Sequence, residues 1–166
     1  PARRTIMSLL ITHARLANEH SSELSQPTDV RISDGVIQEI GDDLSATEHC
    51  HVIDARGRIL MPGMFDAHVH FREPGFEAKE TIATGSEAAI NGGITGVVMM
   101  PNTSPALDSA DVVSRVLETG KRTARIPVYT SGCVTKGRHG KELAGIDGMR
   151  ALGVKMLTDD GDTTQD

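Results

Sequence analysis

The feature that most constrains this chain is a repeat of rhythm rather than of residues. After Pro62-Gly63, apolar strand-like runs begin near positions 64, 94, 126 and 153, at spacings of 30, 32 and 27 residues. Helix-like segments fill the intervals, and that is the length of a strand–helix unit in a parallel sheet. Met64–His68 reads as the first strand. Ala78–Asn91 follows as a helix with Ile82, Ser86, Ala89 and Ile90 on one face, stopped by Gly92-Gly93. Ile94–Met100 is almost continuously apolar, as a strand covered on both faces must be. Asp108 is placed to cap a second helix striped by Val112, Val113, Val116 and Leu117 and ended by Gly120. Ile126–Cys133 predicts a third strand, Glu142–Leu152 a short helix, and Gly153–Leu157 a fourth strand.

Four such units admit two α/β architectures. A doubly wound open sheet normally opens with a glycine-rich phosphate loop after its first strand, and none is present. A (β/α)8 barrel needs ~200–250 residues, so the four units predict the first half of a barrel, truncated at Asp166. Before them, residues 8–61 alternate in short runs. Val30–Ile32 and Val36–Ile40 flank Asp34-Gly35, a strong hairpin signal, and Val52-Ile53 and Ile59–Met61 follow. The pattern predicts a small antiparallel β unit over 1–61, with a polar loop over Glu19–Thr28, beside the barrel units over 62–166.

Charge narrows the partners. With 17 Lys and Arg against 23 Asp and Glu, the net charge of −6 lacks the basic footprint of a nucleic-acid binder. No run approaches the ~18 apolar residues of a membrane span, and Pro1–Met7 lacks the apolar core of a signal peptide. Cys50 and Cys133 form no paired motif, so the chain reads as cytoplasmic. The three phenylalanines, 65, 71 and 76, fall in one short window.

That window carries the sharpest motif, Asp66-Ala-His68-Val-His70-Phe-Arg72-Glu-Pro-Gly75. His68 and His70 are two residues apart at a strand end, so both imidazoles project from one face and can converge on a zinc ion. Met99-Met100-Pro101-Asn102-Thr103 ends the next strand; Asn102 offers a donor and an acceptor to a polar ligand, although Pro-Asn is equally a turn pair. Thr158-Asp159-Asp160-Gly161 follows the fourth strand, where a carboxylate can join a metal set or simply face solvent in a turn. Gly137-Arg-His-Gly140-Lys141 lacks phosphate-loop spacing and reads as a mobile basic loop; His49 and His51 read as structural or surface residues.

Together, Pro62-Gly-Met-Phe-Asp-Ala-His-Val-His-Phe-Arg-Glu-Pro-Gly75, Met-Pro-Asn-Thr and Thr-Asp-Asp-Gly resemble the dihydroorotase family of the amidohydrolase superfamily. The resemblance implies a metal-dependent (β/α)8 TIM barrel preceded by a small β-sandwich-type domain, whose remainder comes from residues later than 166. It implies that His68 and His70 bind one or two Zn2+ ions and that Arg72 and Asn102 hold the substrate's α-carboxylate. The bridging ligand is Asp160 of the Asp-Asp-Gly motif, with Asp159, or a carboxylated Lys155, as the alternatives. The implied reaction is the reversible cyclisation of N-carbamoyl-L-aspartate to dihydroorotate in pyrimidine synthesis. Two further histidines and the catalytic aspartate are expected beyond Asp166, so residues 1–166 alone would be inactive. The partners implied are the small-molecule substrate, no nucleic acid and no membrane, with homodimerisation or association with aspartate carbamoyltransferase. Another cyclic amidase of allantoinase or dihydropyrimidinase type, or a noncatalytic scaffold for the transferase, stands as the alternative.

Overall fold

The computed structural model describes residues 8–17 and 22–162, and divides into one compact unit up to Pro62 and a second from Gly63. Pro1–Met7 and part of the expected Glu19–Thr28 loop lie outside the described residues. No helix among those described is long and apolar enough to cross a membrane.

In the first unit, β1 (Ser8–Leu16), β2 (Pro27–Ser33), β3 (Val36–Gly41), β4 (Cys50–Asp54) and β5 (Ile59–Leu60) form one sheet in the order β3-β2-β1-β4, with β5 also on β1. The β2–β3 hairpin turns at Asp34-Gly35, whose φ values of 51° and 77° are the paired left-handed conformations of a tight two-residue turn. Leu10, Ala14 and Val30 are buried. The sheet is mixed, not antiparallel as expected: β4 and β5 run parallel to β1. Alternation of apolar residues encodes which face a side chain takes, and a parallel neighbour has the same period as an antiparallel one. This unit holds one sheet, with no second layer of a sandwich among the described residues.

The second unit is mixed α/β. Strands β6 (Met64–Val69), β7 (Ile94–Met99) and β8 (Val128–Thr130) form a parallel sheet in that order, joined by α1 (Ile82–Asn91) and α2 (Ala110–Thr123), with α3 (Ile146–Ala151) following. Its core joins Phe71, Ile82, Val97, Met99, Leu107, Val112, Val113, Val116 and Met149. The stripe read on α2 is the face it buries. Burying each valine stabilises by about 1.5–3 kcal/mol relative to exposure.

Several boundaries differ from the sequence pattern. Helix α1 starts at Ile82 because Thr81 and Thr84 cap it reciprocally, each hydroxyl accepting the other's N–H at 3.1 Å, while Glu73 accepts the Ile82 N–H at 2.9 Å. Gly120 does not end α2: it is buried, and a side chain there would meet Val128 of β8. Asp108 does not cap α2 either. The N-cap is Ser109, and the Asp108 carboxylate accepts the Gly137 N–H. Strand β8 is shorter than Ile126–Cys133, and α3 shorter than Glu142–Leu152. The fourth strand is reduced to one parallel bridge, Gly132 to Leu157, with Gly132 donating to Met156 O and Thr158 donating to Gly132 O, both at 2.9 Å.

Cys133 lies in the core, where burial, aided by Asp108 and Asp159, pushes its thiol up to about 12. Cys50 is half-buried on β4. An uncharged alkylating reagent at pH 8 is therefore expected to modify Cys50 and spare Cys133 until the chain unfolds, as peptide mass mapping would read. Labelling of native Cys133 at the rate of Cys50 would contradict its burial.

Candidate metal centre

Because β6, β7 and β8 are parallel, their C-terminal ends share one edge, and the chain delivers its polar groups there. His68 sits near the end of β6 and His70 just beyond it; Asn102 follows β7; Asp160 follows the segment bridged to Gly132. One ligand atom each from His68, His70 and Asp160 lie within 4.8 Å of one another. His68 Nε2 is 3.4 Å from Asp160 Oδ1 and His70 Nε2 is 3.6 Å from Asp160 Oδ2. The two rings stand edge to face at 5.2 Å between centroids. His68 is more than half exposed, His70 and Asp160 progressively less.

Asn102 binds two members of this cluster. Its Oδ1 is 3.0 Å from His70 Nδ1 and its Nδ2 donates to Asp160 Oδ2 at 3.1 Å. With Nδ1–H donated to the amide oxygen, the free lone pair of His70 is on Nε2, the atom that faces Asp160. Two imidazoles and a carboxylate are the donor set that a zinc ion takes, so the residues present fit such an ion.

The adjacent aspartates of Thr-Asp-Asp-Gly have opposite surroundings. Asp159 is buried, and its carboxylate accepts the Val134 and Thr135 N–H groups and the Thr135 hydroxyl, at 2.9, 3.2 and 2.5 Å. Asp160 faces the histidines. Lys155 is exposed and lines a depression of about 570 Å3 with Phe65, Ala67, Val98, Tyr129 and Thr130, none of them in the histidine cluster.

Arg72 is half-buried, with no ion pair among the described residues. The loop around it is tied down: Phe76 N–H donates to Arg72 O at 2.9 Å, and the Gly75 N–H binds Glu77, holding that carboxyl below its ordinary range. Gly75 has φ 97° and lies where a side chain would strike Ser104, so the Glu-Pro-Gly turn packs directly against the loop that carries Asn102. The stretch read as a mobile basic loop is instead hydrogen-bonded in place: Gly140 donates to Thr135 Oγ1, and Arg138 Nη1 donates to Asp160 O at 2.7 Å. Nothing in the sequence spacing marks Arg138, because the contact spans two loops that meet only in the fold. His49 is exposed beside Glu48, and His51 is exposed on β4.

A family model described as Dihydro-orotase-like matches residues 57–165. A dihydroorotase of Citrifermentans bemidjiense is 44% identical over 155 residues, 93% of this chain and 36% of that protein. One of Solibacter usitatus is 43% identical over the same shares. Among solved structures, the L-hydantoinase (dihydropyrimidinase) of Arthrobacter aurescens superposes with a TM-score of 0.78 over 90% of this chain and 32% of its own, at 24% identity, a likeness of fold. The chain thus spans about a third of the length of the curated relatives it matches.

Proposed function

The chain belongs to the dihydro-orotase-like family, and from that membership we propose that it carries part of the active site of a zinc-dependent dihydroorotase. The second unit is then the opening of a (β/α)8 barrel, residues 62–166, with the Gly153–Leu157 segment as the fourth barrel position, and residues 1–61 belong to a small β domain. The observation that carries the reading is the cluster of His68, His70 and Asp160 at the C-terminal edge of parallel strands, with Asn102 bound to two of its members.

His68, His70 and Asp160 hold the zinc, and Asp160 rather than Asp159 is its carboxylate ligand, because Asp159 is committed to the Val134–Thr135 backbone. Bound zinc would polarise the scissile carbonyl and lower the pKa of water to about 7. Asn102 orients His70 through Nδ1 and keeps one N–H of its amide for substrate. Arg72 supplies a planar fork for the α-carboxylate of N-carbamoyl-L-aspartate, a fork that no carboxylate among the described residues pairs with. In the cyclising direction the ureido nitrogen bonds to the β-carboxyl carbon and water leaves; hydrolysis reverses this. The remaining ligands and the catalytic aspartate belong to the rest of the barrel.

The test is turnover by the full-length protein and its Arg72→Gln variant. The parent is expected to interconvert dihydroorotate and N-carbamoyl-L-aspartate. The variant is expected to keep its zinc and lose about 100-fold or more in kcat/KM, the ~3 kcal/mol of a charged hydrogen bond to a carboxylate. Normal turnover by the variant would remove Arg72 from the role. A parent that opens hydantoins and leaves dihydroorotate untouched would return the protein to the cyclic amidases its fold resembles.

A further inference from the structure

Arg138 links its own loop to the turn that carries Asp160. Its Nη1 donates to the Asp160 carbonyl oxygen at 2.7 Å and its Nη2 pairs with the Asp162 carboxylate at 3.1 Å. The side chain is 23% exposed and its backbone holds φ 62°, a conformation L side chains rarely adopt. The loop beneath it is itself anchored, by Gly137 N–H to Asp108 and Gly140 N–H to Thr135. The Asp159–Asp162 turn is therefore gripped from two sides. Asp159 ties it to the Val134–Thr135 backbone, and Arg138 ties it through the next residue's carbonyl. With both grips in place, what remains to Asp160 is the rotation of its side chain, which Asn102 restrains through Oδ2 and which points at His68 and His70.

We propose that Arg138 is a positioning residue for the metal centre, fixing the direction in which Asp160 presents its carboxylate. The proposal rests on the reading of His68, His70 and Asp160 as metal ligands. A guanidinium suits the task because its planar fork engages a carbonyl and a carboxylate at once, whereas an ammonium is a single point of attachment. Groups that orient ligands in this way commonly carry a 10–100-fold share of metal affinity without touching the ion.

The experiment uses the full-length protein with Zn2+ as the probe, its affinity read by competition with a chromophoric chelator, and with Co2+ substitution to read ligand geometry from the visible absorption bands. Arg138→Met is expected to weaken zinc binding about 10–100-fold and to alter the Co2+ bands with an unchanged circular dichroism spectrum; Arg138→Lys is expected to recover part of the loss. Affinity within about twofold of the parent and unaltered Co2+ bands in Arg138→Met would overturn the proposal. Should that variant not fold, Asp162→Asn decides: a several-fold weakening supports the positioning role, and unchanged affinity overturns it. Asp160→Asn separates the two readings. Zinc affinity unmoved by Asp160→Asn would defeat the metal centre itself, whereas loss there with none in Arg138→Met defeats only the role of Arg138.

Discussion

The His68→Ala protein, made at full length, is expected to bind zinc about 100-fold more weakly than its parent and to lose turnover with it. A four-ligand zinc site supplies ~10–16 kcal/mol, and one imidazole carries about a quarter of that, or ~3 kcal/mol. His68 is the outermost of the three groups, so its removal leaves no apolar cavity and the fold should persist. Elemental analysis is the measurement. Undiminished zinc in a folded His68→Ala protein would mean that the cluster at the end of β6 is not the metal centre.

Gly85→Val is expected to destabilise the protein by about 3 kcal/mol, near the upper end of overpacking costs, because helix propensity returns little for a β-branched replacement. A β-carbon on Gly85 would stand 2.3 Å from Cε1 and 2.4 Å from Cδ1 of Phe71, and that ring is 6% exposed in the core. The ring or helix α1 must therefore shift. Phe71 lies between His70 and Arg72, so the shift reaches the site: zinc affinity should fall as well as stability. Urea unfolding with an unchanged slope and a lower midpoint would register the first effect. A Gly85→Val protein as stable as its parent would show that α1 is not seated on Phe71.

What could be read from the residues alone, and what could not, divides along physical lines. His68 and His70 were legible because strand alternation puts residues two apart on one face, and that geometry is local. The hairpin at Asp34-Gly35 was legible for the same reason, a turn whose backbone angles suit those two residue types. The family resemblance pointed to Asp160 over Asp159, but the physical reason for that choice was not legible. It depends on the Val134 and Thr135 N–H groups, 25 and 24 residues away in the chain, which claim the first carboxylate and leave the second. The extension of α2 through Gly120 was hidden because a glycine stop is a local rule, and here the helix buries Gly120 and runs on to Thr123. The direction of β4 and β5 was hidden because a two-residue period is the same for either neighbour. Arg138 was hidden because its partner lies across the fold.

The pairing of two identical residues with opposed surroundings makes the Asp-Asp step sensitive to length rather than to composition. Removing a single residue between Gly153 and Thr158 would leave Thr-Asp-Asp-Gly intact as a string of letters and draw it back by one place along the backbone. The carboxylate now facing the imidazoles would be drawn to the Val134 and Thr135 N–H groups, and Gly161 would stand in its place with no ligand to offer. Counting matters here as spelling matters elsewhere: the segment tolerates exchanged letters on its exposed side, at Lys155, far better than it would tolerate a missing one.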